Sequence, residues 1–131
     1  MNTRKNRHYF TLDEANAIAA MIRPLLGEIL EIRREILAMR PSVWPVVEKA
    51  AGNGGSKDAS ILAHEFQRMD ELVREIMATG AELKDLNSGL VDFLALCDER
   101  EVYLCWRYDE NEIQYWHELD AGFLGRQSIL D

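Results

Sequence analysis

Chemistry-capable side chains crowd one stretch of this 131-residue chain, Glu101–Arg126. It carries Cys105, Trp106, Arg107, Trp116, His117, Glu118, Asp120 and Arg126. A thiol, an imidazole, carboxylates and guanidinium groups could supply a Cys–His nucleophile, a metal site or an anion-binding cleft. Each option depends on which side chains share a face. The β-branched and aromatic content of Glu101–Tyr108 and Ile113–Leu119 predicts two strands of a hairpin. If that hairpin turns about Glu110 and Asn111, Trp106 faces Tyr115, Leu104 faces His117 and Tyr108 faces Ile113, all on one side. Tyr103, Cys105 and Arg107 then take the other side, opposite Glu118, Trp116 and Gln114. Alternation alone separates the imidazole from the thiol, which disfavours a Cys–His pair unless a one-residue bulge changes the parity.

In this register the His117 face is apolar and packs on helices, its imidazole bonded to a backbone carbonyl or to a carboxylate such as Asp85 or Asp92. The opposite face offers a shallow cleft or a protein interface. The candidate ligand-binding residues are Arg100, Cys105, Arg107, Trp116, His117, Glu118 and Arg126, the arginines being suited to an anion. One histidine with scattered carboxylates is a weak pattern for zinc or iron, so no metal or cofactor is expected. An ion pair of Arg100 or Arg126 with Asp92 or Glu118 uses the same residues more economically. Cys97 and Cys105 read as small thiols in a chain without an export signal.

The elements that must position this stretch come before it. Thr11-Leu12-Asp13-Glu14 is a capping box, with Phe10 placed as a hydrophobic staple. Ala15, Ile18, Ile22, Leu25, Ile29, Ile32, Ile36 and Met39 follow at three–four spacing, which predicts a long helix ending near Arg40. Pro24 lies inside it and should bend it near Ala20. Pro41 and Pro45 end that helix; Trp44 plugs the helix ends, Val46–Ala51 adds a turn, and Gly52–Ser56 is a flexible connector. A second helix begins near Ser56–Asp58, with Ala59, Leu62, Phe66, Met69, Val73 and Ile76 as its seam. It runs to Thr79, and Gly80 is its left-handed C-terminal residue. His64 has no second histidine at the spacing a metal pair needs. Past Gly80 the period alternates: Ala81–Leu86 and Leu90–Leu96 predict strands, joined by a turn at Asn87–Gly89.

Composition bounds the rest. With 47% hydrophobic and 29% charged residues, the chain is one soluble globular domain with no run long enough to span a bilayer. No apolar segment follows the basic start, so the expected location is cytoplasmic. Net charge is −8, and eight acids between Asp98 and Asp120 face only Arg100 and Arg107. A phosphate backbone would be repelled, so neither nucleic acid nor membrane is an expected partner.

Several phrases resemble a known family. These are Phe10–Asn16, Glu82–Leu86 with Gly89–Phe93, Val102–Trp106, and Trp116-His117 with Gly122-Phe123 and Gly125-Arg126. They are similar to small bacterial proteins of the domain-of-unknown-function family DUF2203. The resemblance covers nearly the whole chain outside Pro41–Ser56 and is most specific at Leu-Cys-Trp and Trp-His-Glu-Leu. It implies a stand-alone cytoplasmic domain and transfers no catalytic residue. The chain departs from that pattern in carrying Leu94 for proline, and Glu99 and Asp109 for glycine, on either side of the Cys105 strand.

Together these readings predict an α+β domain: a long antiparallel helical hairpin (11–79) followed by a small antiparallel β-sheet (81–126). The leading expectation for its role is a protein-interaction module, homodimeric through surplus apolar stripe on the helices. The rival is a small-molecule binding protein or enzyme using the Cys105, Arg107, Trp116 and Glu118 face, with metal binding at His117 as a third reading.

Overall fold

A computed structural model describes residues 8–52 and 63–129. The first helix, α1 (Leu12–Met39), opens on the predicted capping box, with both reciprocal bonds between Thr11 and Glu14 in place. It runs unbroken through Pro24. A short 3-10 turn at Pro41–Val43 leads into α2 (Trp44–Ala50), longer at its start than the single turn expected. Helix α3 (Ala63–Ala78) ends as predicted, with Gly80 at φ 92°. Its expected beginning near Ser56, and the seam residues Ala59 and Leu62, lie outside the described residues. Arg68 bonds Glu28 while Phe10 lies against Gly80, so α1 and α3 run antiparallel.

The second half is a five-stranded antiparallel meander in sequence order. Its strands are β1 (Glu82–Asp85), β2 (Leu90–Cys97), β3 (Arg100–Arg107), β4 (Tyr115–Glu118) and β5 (Gln127–Ser128). The last strand was not expected: two residues are too few to show a period. Meander topology follows from turns short enough to return the chain to its neighbour. Asp98 and Glu99 carry β2 into β3 with φ of 53° and 67°.

One face of the sheet, carrying Val91, Phe93, Ala95, Val102, Leu104 and Trp106, packs on Ile22, Leu26 and Ile29 of α1 and on Met69, Leu72 and Ile76 of α3. Among the described residues the helix seams, Met39 excepted, are therefore largely spent inside the molecule. Trp44 is buried as the expected plug, and its indole donates to Asn87 Oδ1.

Candidate functional site

The alternation of β2, β3 and β4 that turns apolar residues toward the helices turns Asp92, Cys105 and His117 the other way. The observed register pairs Asp92 with Cys105, Tyr103 with His117 and Cys105 with Tyr115. This corrects the predicted hairpin, which placed Leu104 opposite His117. Because the side-chain period is two, a one-residue slip exchanges the faces of the whole β4 strand. His117 thus lies beside Cys105 and away from the helices. Trp116 and Glu118 lie with Leu104 and Val102 on the helix side, apart from the thiol they were expected to join.

The connection between β3 and β4 sets that register and is tied down from two directions. Within it, the amide of Arg107 donates to Glu110 Oε1 at 2.7 Å, and the Trp106 indole donates to the Glu110 carbonyl at 2.9 Å. From α1, the Arg23 guanidinium donates to the carbonyls of Tyr108, Glu110 and Asn111 while its plane lies 5.0 Å over Trp106. Two turns earlier, Asn16 accepts from the amide of Ile113 at 2.8 Å. Gly27 completes the fit, since a Cβ there would stand 2.9 Å from the Tyr108 hydroxyl.

Asp92, Cys105 and His117 are 3%, 0% and 2% exposed, and their ligand-type atoms all lie within 4.8 Å of one another. His117 Nε2 is 3.0 Å from Asp92 Oδ2, and Nδ1 is 2.6 Å from the carbonyl of Glu118. A carbonyl oxygen only accepts, so Nδ1 carries a hydrogen and donates it there. The sequence reading of the imidazole, bonded to a carbonyl or to a carboxylate such as Asp92, is met on both counts. Asp92 Oδ1 has no partner although it is buried, a costly condition for a carboxyl oxygen. Burial pushes the Cys105 thiol up to about 12, with the neighbouring Asp92 adding to the effect and Arg126 opposing it.

The remaining predicted residues are scattered around this cluster. Arg126 is nearly buried, donating to Glu110 and to the Cys105 carbonyl, with its guanidinium 4.1 Å over Tyr115. Arg107 pairs with Asp109, and Arg100 pairs with Glu118 on the helix side. Each arginine is thus engaged by a carboxylate. A cavity of about 600 Å³ lies along β1 and the ends of α2 and α3 and includes neither His117 nor Cys105. Asp92 was missed as a site residue because it lies outside the crowded stretch. The sequence named it only as a bonding partner of the imidazole or an arginine; the β2–β3 pairing, which sets it opposite Cys105, is what brings it into the cluster.

Fold and cluster together define an α+β domain whose five-stranded meander holds a buried carboxylate, thiol and imidazole. The chain belongs to the family described as uncharacterized conserved protein DUF2203, whose pattern matches residues 8–129. No curated protein and no solved structure matches it.

Proposed function

We propose that this domain binds a divalent transition-metal ion through Asp92, Cys105 and His117. The observation that carries the reading is the convergence of three donor types, all buried, with one carboxylate oxygen unpartnered. Charge is consistent with it: ligation turns the thiol into a thiolate, and a divalent ion cancels that charge together with the charge of a carboxylate in a low-dielectric interior. Orientation supports it as well. With Nδ1 donating to a backbone carbonyl, Nε2 is the nitrogen left to ligate, the usual arrangement around a metal-bound histidine.

Tetrahedral coordination with bonds of 2.0–2.3 Å sets donor atoms roughly 3.5 Å apart, and atoms within 4.8 Å of one another need to close by no more than about 1.3 Å. Mixed oxygen, sulfur and nitrogen donors suit zinc or ferrous iron and do not suit calcium or magnesium. Three protein donors leave a fourth position for water or a substrate.

Nucleophilic chemistry at Cys105 has less support. A thiol pushed up to about 12 is overwhelmingly protonated near neutrality. Both imidazole nitrogens are engaged, neither with Cys105, so the adjacent base such chemistry needs is missing from this arrangement.

Titration with cobalt(II) tests the proposal. An intense near-ultraviolet thiolate band at one equivalent is expected for the wild type, and it should vanish in Cys105→Ser and weaken in His117→Gln. A protein that takes up no cobalt, and no zinc by elemental analysis, overturns it.

A second proposal, self-association through the helices, draws on exposed Met21, Met39 and Met77 on α1 and α3. Among the described residues the rest of the apolar seams is largely covered within one chain, which leaves it less surface than the sequence suggested. Sedimentation at low concentration decides it, a clean monomer removing the reading.

A further inference from the structure

We infer that Tyr103 is a movable cover over the Asp92–Cys105–His117 cluster and that Glu82 is the latch holding it shut. The purpose of the device rests on the metal-binding reading; its geometry does not. Tyr103 stands on β3 directly opposite His117, with ring centres 5.5 Å apart. Its hydroxyl donates at 2.9 Å to Glu82 on β1, two strands away. The register partner of Glu82 is Asp92. To make that bond the phenol ring must cross β2 beside Asp92, so it roofs the contact between Asp92 and His117. Beyond the ring lies a cavity of about 420 Å³ bounded by Tyr103, Leu94, Glu82, Gly80 and His8.

An ion can reach groups this deeply buried only if a covering side chain moves. Two candidates border the cluster. Arg126 is held by Glu110, their side chains 10% and 15% exposed, and its guanidinium lies over both Tyr115 and Phe123. The Tyr103 latch is softer at its acceptor: Glu82 is 40% exposed and shared with the ammonium of Lys84 at 3.1 Å, an ammonium that also lies 4.6 Å over the Tyr103 ring. Water competes readily for an exposed carboxylate and hardly for a buried one. Rotation of Tyr103 into another staggered side-chain well would swing the ring toward the cavity without moving the backbone. The same motion releases Glu82 from the phenol, and its carboxylate, still shared with Lys84, is then the first oxygen an arriving cation meets. Cation and tyrosine hydroxyl compete for one acceptor, so arrival of the ion itself favours opening.

Rates measured in a Cys97→Ser background, where Cys105 is the single thiol, test the device. Tyr103→Phe and Glu82→Gln should each speed Cys105 modification by methyl methanethiosulfonate about tenfold, the factor expected from losing one charge-assisted hydrogen bond. Stopped-flow cobalt(II) uptake should quicken by a similar factor. Equilibrium cobalt affinity should stay within about threefold, because release quickens too. Arg126→Ala removes a cation that favours the Cys105 thiolate, so it should slow thiol modification and should not speed cobalt uptake. Unchanged rates in the two latch variants, or acceleration by Arg126→Ala alone, overturn the inference. Faster thiol modification without any cobalt uptake would uphold the cover while removing the metal reading.

Discussion

At Asp98 and Glu99 two side-chain-bearing residues occupy backbone with φ of 53° and 67°. A Cβ in that region costs about 1 kcal/mol, and two-residue hairpins of this hand favour Asn-Gly. Glu99→Gly should therefore raise the melting temperature by about 3–5 °C, read by calorimetry; no rise would mean that the Glu99 side chain contributes as much as the backbone loses. Chemistry at the residue scale was only half legible. The bonding needs of the imidazole could be stated from its type, and Asp92 was among the partners named. That the thiol would sit within reach could not be stated, because residue type carries no register. Burial of the thiol has its own signature. Its proton is lost near the ordinary value of 9.0 when the chain is unfolded and only near about 12 when folded. Between those values the folded state binds more protons than the unfolded one, so stability falls as pH rises from 9 toward 12. Denaturant melts of the metal-free protein should show this decline, and Cys105→Ser should reduce it, the remainder coming from Tyr103 and Lys84, whose values folding also raises.

Among elements, α1 does more than supply core. Its Asn16 and Arg23 reach across to the β3–β4 connection, so a helix side chain fixes the strand register on which the cluster depends. Removing Arg23 leaves carbonyls that had charge-assisted partners, and Arg23→Met should cost about 2–3 kcal/mol in urea melts. If the cluster depends on this clamp, cobalt affinity in that variant should fall as well; unchanged affinity would show that β4 holds its register unaided. Such contacts, more than eighty residues apart in sequence, leave no local trace. The capping box, Gly80, and the change from helical to alternating period did leave one, since each depends on residues within a few positions. That is why the boundaries of α1, β1, β2 and β3 were readable while the register of β4 and the existence of β5 were not.

For the whole molecule, ligand binding and folding are linked. At a free ion concentration one hundred times the dissociation constant, a bound metal should stabilise the fold by about 2.7 kcal/mol, visible as a thermal shift with zinc or cobalt and lost in Cys105→Ser. Because ligation deprotonates a thiol whose folded value is about 12, affinity should rise with pH throughout the neutral range, at least tenfold per unit. A flat affinity profile between pH 6 and 8 would remove the thiolate from the ligand set.

The tight β2–β3 return at Asp98–Glu99 fixes more than a bend. Since alternation lets a strand present a given side chain to only one side, the number of residues between neighbouring strands acts as an odd-or-even switch. Deleting one residue there would hand the Cys105 sulfur to the helix layer and bring Trp106 out in its place, whereas a two-residue insertion would lengthen the loop and leave the trio intact. Tolerance to length changes in this domain should therefore run in steps of two.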